Sequence, residues 1–449
     1  MMRLLIRNAE IVTMNREEEV IFGDLLIEDG RIAEIAPQIE KKVDQTIDAT
    51  GKTVIPGLIQ THIHLCQTLF RGQADDLELL DWLRKRVLPL EAAHDEESLY
   101  YSAMLGIGEL ISGGTTSVVD METVHHTDAA FRAIAESGIR ALSGKVMMDH
   151  GEGVPPALME DTATSIQKSV ELLEKWHNYD DGRIRYAFCP RFVVSCSEEL
   201  LIQVRDLAEK YDVMIHTHAS ENKGEINLVE QERGMRNVLY LDKIGIASPR
   251  LILAHCVWLD DEERRVIRER GVKVSHCPGS NLKLASGYAE IPELLACDAK
   301  LSLGADGAAC NNNLDMFQEM RMAALIQKPL HGPTSMPARE VFRMATIGGA
   351  EAMGLADEIG SLEVGKKADL AILDLNHFHN SPREGVDLIS RLVYSAKSSD
   401  VETTIINGKI VMEKGVMKTM DKQKVLQESN RSIRRLLDRT AKEGVGTHS

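Results

Sequence analysis

The chain has 449 residues, 43% of them apolar, and a formal net charge of −17. That length suggests one large domain with a smaller one, the apolar share supports a sizeable core rather than disorder, and the negative charge works against a polyanion such as nucleic acid. No apolar stretch reaches the ~18 residues a membrane span needs, and nothing near Arg3 and Arg7 reads as a signal peptide, so a cytoplasmic protein with no membrane contact is expected.

The first fifty residues predict short strands at Leu4–Ile6, Ile11–Met14, Asp24–Glu28 and Arg31–Ile35, broken by Asn8, Asp29-Gly30 and Pro37. Asp29-Gly30 between two β-prone runs is a hairpin signal. The pattern then changes, and apolar runs alternate with amphipathic helical stretches such as Glu198–Lys210 and Asp260–Arg270. Eight strands are predicted: Val54–Gln60, Thr115–Asp120, Arg140–Met147, Arg185–Pro190, Val213–Ala219, Leu251–Cys256, Val272–Pro278 and Leu301–Gly307. Each is followed by a helix-like stretch, which matches an α/β (β/α)8 TIM barrel. A second β group follows at Asp369–Leu373, Val401–Ile406 and Lys409–Met412, with Asn407-Gly408 as another hairpin turn, and Asp421–Lys442 reads as a polar helix. The expected division is 1–58 and 358–420 in two β segments, 59–357 in the barrel, and 421–449 in a helical tail.

The ends of the predicted strands carry the chemistry. His62 and His64 follow the first strand, and residues two apart in an extended chain face one way, so both imidazoles can face one point. His216 and His218 repeat the spacing on the fifth strand, His255 closes the sixth, and Asp306 closes the eighth. The C-terminal ends of barrel strands share one mouth, where imidazoles and a carboxylate around an open position suit a catalytic Zn²⁺ or a similar divalent ion. The expected ligands are His62, His64, His218 and Asp306, with His216 pointing away. Glu221, three residues beyond His218, is placed to move protons. His276 is a weaker strand-end candidate. His94, His125, His126, His331 and His448 read as structural or surface residues. The seven cysteines form no CxxC pair and read as reduced thiols, with Cys66 and Cys256 beside site histidines.

These residues resemble the amidohydrolase superfamily, in its branch of aminohydrolases and s-triazine hydrolases, from about Ile11 to Met412. Pro56-Gly57-Leu58-Ile59 before the paired histidines fits, as does Ile359-Gly360-Ser361-Leu362 through Gly365-Lys366-Lys367-Ala368-Asp369-Leu370. The resemblance implies that the two β groups join in a small composite β-sandwich. It implies one divalent ion, Zn²⁺ with Fe²⁺ as the alternative, on His62, His64, His218 and Asp306, with Glu221, His255 and Asp306 catalytic.

Thr68-Leu69-Phe70-Arg71-Gly72, Asp81-Trp82-Leu83, Leu88-Pro89-Leu90-Glu91 and the runs Ser280–Gly287 and Asp306–Phe317 look like those of methylthioadenosine/S-adenosylhomocysteine/5′-deoxyadenosine deaminases. The implied reaction is hydrolytic deamination of a 5′-modified adenosine, with Trp82 packed on the nucleoside, Glu91 accepting from the ribose hydroxyls and Lys145 near the 5′ substituent. Pro190-Arg191-Phe192 is instead similar to guanine deaminases, which share Gln67, so Arg191 and Gln67 could bond an oxo-purine. The alternatives are thus a guanine deaminase, an s-triazine hydrolase or, in another class, a non-catalytic barrel scaffold. The expected partners are a small nitrogen heterocycle and further copies of the chain, as a homo-oligomer.

Overall fold

The structure, a computed structural model, describes residues 3–151 and 153–442. Eight parallel strands run in chain order around one sheet: Leu58–Ile63, Thr115–Met121, Arg140–Gly144, Ile184–Pro190, Met214–Ala219, Leu251–His255, Lys273–His276 and Lys300–Leu303. The first and last strands meet through side chains and loops: the Thr61 hydroxyl bonds Ser302 Oγ at 2.7 Å, and the Asp306 N–H donates to the His62 carbonyl at 2.9 Å. The sheet is thus a (β/α)8 barrel, as the βα alternation predicts. Its strands are buried throughout apart from Lys300 and the half-exposed Arg185 and Met214, because helices cover the outer face.

The two β groups join in one nine-stranded sheet. Its path runs Val416–Met417, Lys409–Glu413, Val401–Ile406, Leu370–Leu373, Thr53–Pro56, Arg3–Val12, Val20–Glu28 and Arg31–Ala36, with Gln45–Asp48 paired to Arg3–Val12. Both predicted hairpins form, with Asp29-Gly30 and Asn407-Gly408 all at positive φ, the geometry that a two-residue turn between twisted strands demands. A buried ion pair ties this sheet to the barrel: Arg140 Nε and Nη2 donate to Asp369 at 2.6 and 3.0 Å.

The predicted boundaries need four corrections. Leu4–Ile6 and Ile11–Met14 are one strand, because Asn8 at φ 58° sits in a β-bulge and not a turn. Val54–Gln60 is two strands in two sheets, parted at Gly57, where a Cβ would lie 2.1 Å from Thr116 Oγ1 on the second barrel strand. Arg140–Met147 breaks at Lys145 into Arg140–Gly144 and Val146–Met147. The eighth strand ends at Leu303, so Asp306 stands on the loop beyond it. The final helix, Lys422–Lys442, packs on Glu96–Ser112 and places Leu436 in the apolar cluster that includes Phe70 and Leu88. Among the described residues no helix is long and apolar enough to cross a membrane.

Candidate active site

Each predicted ligand owes its orientation to what its Nδ1 meets. His64 Nδ1 lies 2.7 Å from the Met121 carbonyl, and His218 Nδ1 lies 2.8 Å from the Arg191 carbonyl. A carbonyl only accepts, so both rings carry the proton on Nδ1 and offer the lone pair of Nε2. His62 reaches the same state through a relay. His216 Nδ1 faces the Ile252 carbonyl at 3.2 Å, so its Nε2 accepts from His62 Nδ1 at 2.8 Å. His216 therefore does not point away from the site. Residues 216 and 218 share one face of the strand, both enter the barrel interior, and His216 orients His62 from the layer below.

The consequence is a convergence of acceptors. His62 Nε2 and His64 Nε2 each lie 3.3 Å from Asp306 Oδ1, and His218 Nε2 lies 3.3 Å from His64 Nε2. Ligand atoms of His62, His64 and His218 all fall within 4.8 Å of one another, as do those of His62, His255 and Asp306. His62 Nε2 is buried with no hydrogen-bond partner. Burial holds these imidazoles neutral: it lowers His62 and His218 and takes His64 down to about 3. Lone pairs packed this closely repel unless a cation stands between them, so the residues present fit a divalent metal.

Asp306 is fixed from three sides. Its Oδ2 accepts from Ser280 Oγ at 2.6 Å, its Oδ1 accepts from the Gly307 N–H at 2.7 Å, and its own N–H is on His62. Asp306, His255, Cys256 and Ser220 all adopt left-handed backbone, at φ 63°, 73°, 48° and 54°. Such strain in non-glycine residues costs on the order of 1 kcal/mol each and collects where geometry serves chemistry.

His255 and Glu221 stand over the cluster. His255 Nδ1 bonds Asn281 Oδ1 at 2.9 Å, and its unpartnered Nε2 faces Glu221 Oε2 at 3.5 Å and Asp306 Oδ2 at 3.8 Å. Glu221 is buried beside Ser286, whose Oγ lies 3.5 Å from Oε1. Burial, then Asp306 and Glu225, push the Glu221 carboxyl well above its ordinary value, so its acid form is favoured. Glu225 holds the turn by accepting from the Glu221 N–H at 2.8 Å. Asn222 and Glu225 form a capping box at the helix Lys223–Arg233, which sets where residue 221 leaves the strand.

The predicted substrate-binding residues divide. Gln67, Glu91 and Arg191 come together: Arg191 Nη1 and Nη2 grip Glu91 at 2.7 and 3.0 Å, Gln67 Nε2 donates to Glu91 Oε1 at 2.9 Å, and Thr123 Oγ1 lies 3.4 Å from Oε2. Glu91 is 3% exposed, and its four lone-pair directions are thereby all addressed, Thr123 most weakly. The Glu91 carboxyl is held low because Arg191 outweighs burial. Gln67 Oε1, Arg191 Nε and Trp82 Nε1 are buried without partners. The Phe192 ring stacks on His218, centroids 4.4 Å apart. Lys145 lies elsewhere. Its buried ammonium pairs with Glu160, just before the helix Thr162–Trp176, lies 3.4 Å from Ser165 Oγ on that helix and reaches the Val146 carbonyl at 3.1 Å, so it is placed to support the barrel wall and not to meet a substrate at the mouth.

Of the other histidines, His94 is buried and bonds the Cys66 carbonyl at 2.9 Å and Ser98 Oγ at 3.0 Å. His276 is buried with neither ring nitrogen bonded, His125 and His331 lie at the surface, and His448 falls outside the described residues. All seven cysteines are free. Sequence reasoning missed Ser280 and Asn281, which lie in a quoted run but were given no role, and His216 as an orienting residue.

A group of inward imidazoles and a carboxylate at the C-terminal mouth of a (β/α)8 barrel is the arrangement of a metal-dependent hydrolase. Residues 53–411 match the model of the amidohydrolase family. The chain belongs to that family. It is 44% identical to a 5′-deoxyadenosine deaminase of Methanothermobacter thermautotrophicus, over 90% of this chain and 92% of that one. It is 39% identical to a methylthioadenosine/S-adenosylhomocysteine deaminase of Pelotomaculum thermopropionicum, over 98% of this chain and the whole of the other. Among solved structures, a zinc-bound adenosine deaminase of Xanthomonas campestris superposes with a TM-score of 0.91 at 33% identity, covering 97% of this chain and 98% of the other.

Proposed function

We propose that the protein deaminates a 5′-modified adenosine by hydrolysis, giving the inosine analogue and ammonia. The observation that carries this reading is a buried carboxyl, Glu221, with Oε2 3.5 Å from His255 Nε2, beside the converging side chains of His62, His64, His218 and Asp306. The relatives above support the substrate class. Zn²⁺ is the ion of choice, since three neutral imidazoles and one carboxylate oxygen suit it and a relative's structure holds it; Fe²⁺ is the alternative. A divalent ion there supplies Lewis acidity, which lowers the pKa of water from ~15.7 towards ~7.

The chain's own groups then divide the proton work. Asp306 accepts a proton from water through the oxygen that Ser280 orients. Glu221 gives its proton to the ring nitrogen next to the amino-bearing carbon, so that the C–N π pair moves onto the ring as water oxygen bonds to carbon. His255, fixed by Asn281, offers Nε2 between Glu221 and Asp306 and steadies the attacking oxygen. Return of the Asp306 proton to the amino group, with the hydroxyl proton of the tetrahedral carbon passing to the Glu221 carboxylate, lets ammonia leave as the C–N bond breaks and the carbonyl forms. Water and the amidine carbon thus become a ring carbonyl and NH₃, and both carboxyls are restored.

A second reading has an observation in its favour. Arg191 and Gln67 already occupy three directions of Glu91, which resembles an oxo-purine clamp more than an open diol acceptor. The nucleoside reading requires a ribose hydroxyl to replace the weak Thr123 contact on Oε2, an exchange of one hydrogen bond for another. The test is ammonia release from 5′-deoxyadenosine, methylthioadenosine and guanine under one condition. Turnover of the nucleosides well above guanine is expected; the reverse order assigns Arg191 and Gln67 to a purine carbonyl.

A further inference from the structure

Glu319 is a fully buried acid that the chemistry above does not use. It sits in the first turn of the helix Met316–Ile326, which packs on the short helix Pro278–Lys283. Its carboxyl accepts from two separate loops: Oε2 from the Gly279 N–H at 3.0 Å and Oε1 from Asn311 Nδ2 at 2.7 Å. Asn311 Nδ2 also donates to the Ala305 carbonyl at 2.8 Å. The chain of bonds thus runs from Gly279 through Glu319 and Asn311 to Ala305. Each end adjoins the site. Gly279 precedes Ser280, which donates to Asp306, and Asn281, which bonds His255; Ala305 precedes Asp306 itself.

The local structure makes room for this contact. The Gly279 N–H belongs to the first turn of its helix, where backbone donors have no partner within the helix. A Cβ at position 279 would lie 2.5 Å from Glu319 Oε1 and 2.6 Å from Asn311 Nδ2, so only glycine lets the carboxyl approach. Both donors are neutral amides. Burial pushes the Glu319 carboxyl up to about 8, against the pull of Asn311 and Gly279. Such a group is costly to bury, and an apolar side chain would fill the space at less cost but hold neither loop. We infer that Glu319 is a positioning residue, which clamps the loop after the seventh barrel strand to the loop after the eighth so that Ser280 meets Asp306 and Asn281 meets His255. The inference rests on the deaminase reading and adds a residue that acts on the reaction through others.

The bonds at stake have little slack. Ser280 Oγ lies 2.6 Å from Asp306 Oδ2, and Asn281 Oδ1 lies 2.9 Å from His255 Nδ1. A slip of about 1 Å between the loops takes both beyond hydrogen-bond range, and misplacement on that scale costs up to about 100-fold in turnover. Glutamine at 319 keeps one acceptor and turns an NH₂ group towards the other donor, so one loop is released. Methionine accepts from neither and releases both. The group formed by Gln67, Glu91 and Arg191 is held by its own bonds, so substrate binding is affected little.

The test measures kcat and KM for ammonia release from 5′-deoxyadenosine, using full-length, metal-loaded protein. The variants are Glu319→Gln, Glu319→Met, Ser280→Ala and the double variant Glu319→Gln/Ser280→Ala. The expected kcat falls about tenfold in Glu319→Gln and about 100-fold in Glu319→Met, while KM moves less than about threefold. A residue that only supports the fold would leave kcat of the folded, metal-loaded protein unchanged. Because Glu319 acts through Ser280, the double variant should lose less than the product of the two single losses, by about threefold or more. If Glu319→Met does not fold, Glu319→Gln decides alone. A kcat of Glu319→Gln within about twofold of wild type, or losses that simply multiply in the double variant, overturns the clamp while the deaminase reading stands. Absence of ammonia release by the wild type from any adenosine derivative removes the deaminase reading and the clamp's catalytic role together.

Discussion

Arg191→Met tests whether the Glu91–Arg191 pair organises the substrate side of the mouth. In the wild type Glu91 receives two guanidinium N–H groups at 2.7 and 3.0 Å, and both residues are buried. Methionine matches much of the arginine stem but donates nothing. Gln67 at 2.9 Å and Thr123 at 3.4 Å remain, so the Glu91 carboxylate keeps one good hydrogen bond and one poor one. Leaving a buried charge without its partner costs about 3–5 kcal/mol, whereas removing both charges is often near neutral. The double variant Glu91→Leu/Arg191→Met should accordingly recover most of that loss. The assay is urea unfolding of the four proteins of the cycle, taking the coupling from the midpoints. A coupling energy of about 2 kcal/mol or more is expected. Arg191→Met within about 0.5 kcal/mol of wild type, with no recovery in the double variant, would show that the pair does not form and would reopen Glu91 as a free diol acceptor.

Three further outcomes follow from other parts of the molecule. Glu221→Gln keeps the shape of the side chain but cannot deliver its proton, and should retain full metal content while kcat falls on the order of 10²-fold or more, measured by ammonia release and elemental analysis. His94 is driven by burial from its ordinary 6.5 to about 4. The folded state then binds fewer protons than the unfolded state between these values, so this contribution is present above pH 6.5 and is lost as pH falls towards 4. The stability advantage of wild type over His94→Gln should shrink by about 2 kcal/mol between pH 7 and pH 5, and a constant difference would contradict a buried neutral imidazole there. Arg140→Met breaks the buried bond to Asp369 that joins the two sheets, with an expected loss of about 3–5 kcal/mol in urea unfolding and little change in KM.

Much of the site was legible because it follows from local spacing. His62 with His64, and His218, stand where strand periodicity and barrel direction place them, and Asp29-Gly30 and Asn407-Gly408 announce their turns by chemistry alone. What was illegible depends on contacts across the chain. Glu91 and Arg191 are 100 residues apart in sequence, so no local pattern shows that each neutralises the other. The placement of His216 is a matter of depth: the same two-residue repeat that aims His218 inward aims His216 inward too, and the His62 ring occupies the next layer. Lys145 is misread for a related reason. It stands where the third barrel strand breaks, which turns its side chain towards Glu160 on the outer layer. The strand end at Leu303 hid the loop position of Asp306, whose left-handed backbone is set by contacts with His62 and Gly307 and not by its own sequence.

The central claim is that His62, His64, His218 and Asp306 hold the one ion on which deamination depends, and metal analysis of a ligand variant tests it most directly. Protein purified without chelator should carry about one equivalent of divalent metal and release ammonia from an adenosine derivative. His218→Ala should lose both together, with its fold retained by circular dichroism. Full metal content and full turnover in His218→Ala would contradict the account.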